Sequence, residues 1–278
     1  MAAACCYNCG SNQSFGYAEE NGYALVRCNG CGLIYVANPP TPDEISQAHM
    51  QGRHGGRQEI DTTGRFDARK VAHYLSVLSD LFGDEYCSAK TWLDVGCGHG
   101  EFMLAVQRWS NNTILIEGTE PNERKRRSAA AHGLHVEFHD LATHARTYDV
   151  ISLLNVYSHL PDPPAFLQVV RRLLSPGGEL VLETGDSAGL CARDHHRPFF
   201  LPDHLSFASE KIVVDILERV GFKIQRIAKY PLVHFEWGPF ARELLKATLP
   251  WRRSALRYYI QRRRYSQTDM FIRARLRA

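Results

Sequence analysis

Residues 93–100, Leu-Asp-Val-Gly-Cys-Gly-His-Gly, constrain this chain more than any other stretch. Trp92, Leu93 and Val95 read as the end of a buried strand, and Gly100-Glu101-Phe102 opens an amphipathic helix. Between them stand Gly96, Gly98 and Gly100, three glycines at alternate positions. A strand-to-helix turn without side chains lets backbone N–H groups approach a ligand at the positive end of a helix dipole. Dinucleotide-binding turns use a related loop. Asp94, just ahead of the first glycine, narrows the choice: a carboxylate there repels a pyrophosphate and suits a ligand carrying an ammonium group.

Further pieces follow in order. Ile114-Leu115-Ile116 reads as a second strand ending at Gly118-Thr119-Glu120-Pro121, and a third, near His135–Phe138, runs into Asp140-Leu141. Tyr148–Val156 reads as a fourth strand. His159-Leu160-Pro161-Asp162-Pro163 comes next, with a helix to Leu174, and Ser175-Pro176-Gly177-Gly178 turns into a fifth strand through Glu183. Together these resemble the class I S-adenosyl-L-methionine (SAM) methyltransferases over residues 66–235. The resemblance implies an α/β, Rossmann-like seven-stranded class I methyltransferase sheet. It also implies a SAM site of Asp94, Gly96, Gly98, Gly100, Glu120, Asp140, Leu141 and Asn155. Glu120 would hold the ribose hydroxyls, a role a carboxylate suits by accepting two hydrogen bonds, and Asp140-Leu141 would flank the adenine.

Five of the eight cysteines lie within the first 31 residues. Cys6 and Cys9, then Cys28 and Cys31, form two CxxC pairs separated by 18 residues, a spacing that fits a structural four-cysteine Zn2+ site. Four thiolates close the coordination sphere and leave no place for water. Residues 17–27 are expected to form a hairpin between the pairs. Disulfides or free thiols are the bland alternative. The N-terminus lacks the apolar core of a secretory signal, which leads to an expected cytoplasmic, reducing location. Cys28–Ile45 resembles the amino-terminal ribbon of small-molecule and sugar methyltransferases, where the ribbon walls the substrate pocket.

The expected organisation is a zinc ribbon over 1–45, a flexible, partly ordered connector over 46–65, the SAM-binding domain over 66–235, a basic helical insertion over 236–268 and a final strand over 269–278. The helix before the first strand carries Val71, Tyr74, Leu75, Leu78, Leu81 and Phe82. Ser209–Val220 is a helix and Phe222–Tyr230 the sixth strand. The last strand, from Met270, is expected to run antiparallel, so that the insertion leaves from the carboxyl edge of the sheet, where such folds bind ligands. From Arg242 onward 11 basic residues face two acidic ones, against a whole-chain net charge of +3. That surplus suggests an anionic small-molecule acceptor, with nucleic acid or peripheral membrane contact as alternatives and a solvated helix as the plain reading.

Methyl transfer to a hydroxyl calls for a general base. His204, in Leu201-Pro202-Asp203-His204-Leu205-Ser206-Phe207, is the first candidate, with His159 and His196 behind it. The His204 segment resembles an HLSFF motif of the family, though packing is an equally ordinary use for that histidine. Asn155, Tyr157, Glu183 and Asp186 also follow strand ends. Asp194, His195 and His196 are adjacent and make poor chelate geometry. The tyrosine and glutamate that sugar C-methyltransferases present near this histidine are absent, which favours transfer to oxygen. The expected function is therefore SAM-dependent methylation of a small-molecule hydroxyl on a sugar or glycan precursor or a secondary metabolite. A zinc-ribbon RNA methyltransferase is the alternative, and a non-catalytic SAM-fold protein the third reading.

Overall fold

A computed structural model of the chain describes residues 5–83, 89–195, 197–231, 237–248 and 268–277. Its centre is a seven-stranded sheet. In chain order its strands are β6 (Thr91–Val95), β7 (Leu115–Thr119), β8 (Val136–Glu137), β9 (Tyr148–Leu154), β10 (Leu174–Gly185), β12 (Phe222–Tyr230) and β13 (Asp269–Leu276). Across the sheet they run β12-β13-β10-β9-β6-β7-β8. β13 pairs antiparallel with both β10 and β12, while β10, β9, β6, β7 and β8 pair in parallel. This is the seven-stranded Rossmann-like arrangement expected.

Period-two alternation gives the sheet two buried faces. Trp92, Val150, Val181 and Phe271 point to one side, onto α2 (Ala68–Phe82) and α3 (Glu101–Trp109). Leu93, Ile151, Leu180, Leu182 and Ile272 point to the other, onto α5 (Pro163–Leu173) and α6 (Glu210–Val220). α4 (Glu123–Ala131) links β7 to β8, and α7 (Trp237–Ala247) follows β12. The helix starts are written in the sequence: Asp67, Asn122, Asp162 and Ser209 each accept a backbone N–H of the first turn.

The amino-terminal residues form a second sheet of β1 (Ser14–Glu20), β2 (Tyr23–Cys28) and β3 (Ile34–Val36), closed by β11 (Ser206–Phe207). The last strand comes from the methyltransferase-like region, so the sheet is shared between the ribbon and the main fold. Leu25, Ile34, Tyr35 and Val36 enter the same core as α5 and α6. The expected hairpin is β1–β2.

Residues 46–65, expected as a flexible, partly ordered connector, carry the end of one helix and a short hairpin, both docked on the main fold. α1 (Pro42–Gln51) starts in a capping box of Thr41 with Glu44 and ends at Gly52 in the left-handed region. A two-rung hairpin of β4 (Arg53–His54) and β5 (Ile60–Asp61) follows. A side chain on Gly52 would meet Asn122 Nδ2 at 2.8 Å, so α1 can lie this close to the end of β7 only without one. His99, in the glycine turn, bonds Thr63 O at 2.8 Å, and Asp67 N–H donates to Glu101 at 2.9 Å. Six of the 11 basic residues on which the anionic-acceptor, nucleic-acid and membrane expectations rest fall in 249–267, outside the described residues, as does His196. Among the described residues no helix is long and apolar enough to cross a membrane.

β13 is pinned by buried charge. Glu179 on β10 accepts from Arg273 Nε at 2.7 Å and from Arg275 Nη2 at 2.6 Å. Glu179→Ala leaves the Arg273 guanidinium buried without its carboxylate, which costs about 3–5 kcal/mol. Urea unfolding should show that loss, and a change under about 1 kcal/mol would contradict it.

Candidate active site

The carboxyl ends of β6, β7, β9 and β10 lie along one edge of the sheet, and most of the residues singled out by sequence meet there. Asp94 closes β6 and is buried; its Oδ1 accepts from Ser152 Oγ on β9 at 2.5 Å. Trp92 Nε1 donates to the same hydroxyl at 2.9 Å. Burial pushes the Asp94 carboxyl up to about 7; the Ser152 bond opposes this, and the charges of Glu120 and Glu101 add to it. The free site is short of positive charge.

Glu120, at the end of β7, bridges the turn: Oε2 accepts Gly98 N–H at 3.0 Å and Oε1 accepts Asn122 N–H at 2.9 Å. A carboxylate has further lone pairs beyond these two bonds. The glycine turn differs from expectation in one respect. Gly96 and Cys97 N–H both donate to Thr119 O, at 2.8 and 3.3 Å, and Gly100 N–H to Cys97 O at 2.9 Å. These amides hold the turn together and are not presented to a ligand. The glycines serve by shape. A side chain on Gly96 would strike Val156 at 2.6 Å, one on Gly100 would strike Leu134, and Gly98, at φ +57°, faces open space. Beyond β8, Asp140 accepts Ala142 N–H at 3.0 Å in its own turn, and Leu141 is buried beside it. Asn155 ends β9 in the left-handed region and is exposed.

A cluster of imidazoles lies beyond Asn155. His159, in the short 3-10 turn Tyr157–His159, places Nδ1 at 2.9 Å from Asp203 O and 3.1 Å from Asp203 Oδ1. His54 Nε2 is 3.0 Å from the same Oδ1, in ion-pair range but off the direction of a hydrogen bond. The His204 ring lies 4.8 Å from that of His159, and His204 Nδ1 bonds Phe199 O at 2.9 Å. His49, on α1, completes the group: ligand atoms of His49, His159 and Asp203 all lie within 4.8 Å of one another. Burial works against a charged His159, but the Asp203 carboxylate outweighs it and holds the imidazole above its ordinary range. Burial and the neighbouring His159 hold His49 and His204 down to about 4. Sequence reasoning named His159 and His204 and missed His49, His54 and Asp203.

The cluster adjoins the cofactor edge on two sides. Val156, three residues before His159, packs on Gly96. Met50 O, next to His49, accepts from Asn122 Nδ2 at 3.0 Å, and Asn122 N–H is on Glu120.

The other candidates have structural partners. Asp186 accepts Glu210 N–H at 3.0 Å and Lys229 Nζ at 2.6 Å. Glu183 meets Asp269 in a carboxyl pair; burial and that neighbour raise Glu183 well above the carboxylate range, and burial raises Asp269 to about 6. The His195 ring is packed among Tyr17, Phe199 and Phe207.

At the amino terminus, Cys6, Cys9, Cys28 and Cys31 gather in one group. Two matching turns bring them there, with Gly10 N–H on Cys6 O and Gly32 N–H on Cys28 O, both glycines at positive φ. The Cys6–Cys31 and Cys9–Cys28 sulfurs stand 3.6 and 3.4 Å apart, far beyond a disulfide bond.

Comparison with known proteins agrees with this architecture. A model of the methyltransferase domain family matches residues 64–227, more than half of the chain. A ubiquinone biosynthesis O-methyltransferase of Salmonella arizonae is 34% identical over 133 residues, covering 45% of this chain and 52% of that protein. The chain thus spans about half the length of the curated relatives it matches. A SAM-dependent methyltransferase from Archaeoglobus fulgidus shares the fold at a TM-score of 0.51 with 16% identity, over 75% of this chain and 94% of that one. The cyclase SpnF does so at 0.50 with 19% identity, over 76% and 82%. The chain belongs to the methyltransferase domain family, and its sheet has the class I methyltransferase fold.

The Asp94 carboxyl should titrate near pH 7 in the free protein, and higher in Ser152→Ala, which loses the bond that favours ionisation. Carbon-13 NMR of the labelled carboxyl reads both; a titration near the ordinary carboxylate value of about 4 would refute the account.

Proposed function

We propose that the protein transfers the methyl group of SAM to a hydroxyl of a small molecule. The observation that carries this reading is the meeting of two chemistries on one sheet edge. Asp94 and Glu120 form an anionic cradle, and beside it the His159–Asp203 pair offers the means to activate an oxygen. In that reading Asp94 faces the cationic methionine end of SAM, Glu120 takes the ribose hydroxyls, Asp140 and Leu141 flank the adenine, and Gly98 and Asn155 border the ligand. The acceptor hydroxyl lies against His159 and its proton passes to water. Its oxygen then attacks the methyl carbon, the S–CH3 bond breaks with its electron pair left on sulfur, and S-adenosylhomocysteine departs. The O-methyltransferase named above acts in the same sense and supports the choice of oxygen.

His204 serves in this reading as a neighbour that packs against His159, because its Nδ1 is committed to Phe199 O and it has no carboxylate of its own. His159 has Asp203 at bonding distance.

At the amino terminus, four thiolates fit a structural Zn2+. A tetrahedron with Zn–S bonds of about 2.3 Å has edges of about 3.8 Å, close to the sulfur separations present. Cys6, Cys9, Cys28 and Cys31 would hold the ion.

Isothermal titration tests the cofactor assignment: Asp94→Asn combined with Glu120→Ala should abolish SAM heat, and unchanged affinity would overturn it. Affinity of the intact protein should be full above pH 7 and fall as pH drops through 7, by up to about tenfold per unit, because a cation prefers ionised Asp94. His159→Asn and Asp203→Asn should each lower kcat by about 100-fold or more with SAM affinity unchanged. Unaltered turnover in both would remove the acceptor assignment.

A further inference from the structure

The cluster beyond Asn155 holds more ligating groups than the activation of one hydroxyl needs. Four imidazoles, His49, His54, His159 and His204, surround the single carboxylate Asp203, and they come from four separate parts of the chain. His49 lies on α1, His54 on β4, His159 in the turn after β9, and Asp203 and His204 in the loop before β11. Ligand atoms of His49, His159 and Asp203 converge within 4.8 Å. The buried Nε2 of His54 has no hydrogen-bond partner among the described residues, although it stands 3.0 Å from the Asp203 carboxylate. Hydrophobic packing alone gives no reason to collect imidazoles around a carboxylate in this way.

We propose that His49, His159 and Asp203 bind a divalent transition-metal cation, which in turn binds the oxygen of the methyl acceptor. Two imidazoles and a carboxylate match the preferences of Zn2+, Mn2+, Fe2+ or Co2+, whereas Mg2+ and Ca2+ favour oxygen-only sets. Three protein ligands leave an open position, which distinguishes such a site from the closed four-cysteine group. His54, with Nε2 3.0 Å from Asp203 Oδ1, supports the carboxylate. Lys125, on α4, is the cation facing the histidines. The inference rests on the acceptor lying against His159 and assigns how that group acts. A hydroxyl bound to the cation loses its proton to water near neutral pH, and the resulting oxygen takes the methyl group with no change in the metal's oxidation state.

The test is metal stoichiometry on the intact protein, equilibrated with micromolar Zn2+ and measured by mass spectrometry. The expected result is two ions per chain for wild type. One should be lost in His49→Ala and one in Asp203→Asn, with affinity for that ion lowered at least 100-fold. Loading wild type with Co2+ needs no variant. The thiolate site gives intense near-ultraviolet charge-transfer absorption, and a second equivalent should add weak visible bands without it. A second ion that persists in both variants, or wild type that takes up Co2+ only with the thiolate signature, overturns the proposal. SAM titration calorimetry on the same samples separates the two readings. Heat with no second ion removes the metal and keeps the methyltransferase assignment, whereas a second ion without SAM heat does the reverse.

Discussion

Toward its carboxyl edge the central sheet turns from apolar to acidic, and the site follows from that. On the face covered by α2 and α3, Trp92, Val150, Val181 and Phe271 are succeeded by Asp94, Ser152, Glu183 and Asp269, one step nearer the carboxyl edge. Removing acids from water is costly unless they are neutralised or bonded. Ser152 satisfies one oxygen of Asp94, and Glu183 and Asp269 meet each other, yet burial still holds all three carboxyls above their ordinary range. An edge so short of cations suits a positively charged ligand, which the sulfonium cofactor of the proposed reaction would supply without a basic side chain from the protein.

Much of this was legible in sequence because it is local. A run such as Trp92–Val95 followed by alternating glycines can hardly be anything but a strand, a turn and a helix. The cysteine pairs announce themselves by spacing. The start of α1 was missed, because its capping box of Thr41 with Glu44 opens a stretch whose composition looks like that of a flexible linker. What could not be read was the imidazole cluster. His49 and His159 are far apart in sequence, and only the folding of α1 back over the end of β7 brings them together. The use of the glycine amides was likewise hidden, because whether an N–H meets Thr119 O or a ligand depends on a neighbouring strand.

The ribbon belongs to the site as much as to the amino terminus. β11 pairs with β3, so the loop carrying Asp203 and His204 ends in a strand of the ribbon sheet. Glu20 accepts Phe199 N–H at 2.9 Å, Asn21 donates to Leu201 O at 2.9 Å, Tyr7 bonds Ser206 at 2.9 Å, and Arg27 reaches Ala188 O at 2.6 Å. Residues of the amino-terminal ribbon thereby hold the loop that carries Asp203.

These attachments make the walls of the acceptor region unequal in stiffness. The Asp203 side is bolted to two sheets at once. The β4–β5 side has a two-rung ladder whose exposed tip is tied to the ribbon only at the surface, with Arg57 N–H on Asn21 O at 3.1 Å and Gln58 N–H on Asn21 Oδ1 at 2.6 Å among its bonds. Segments with few buried contacts open at the least free-energy cost. The hairpin side, held by exposed hydrogen bonds to Asn21, is therefore the wall expected to yield first, while the opposite wall keeps its geometry.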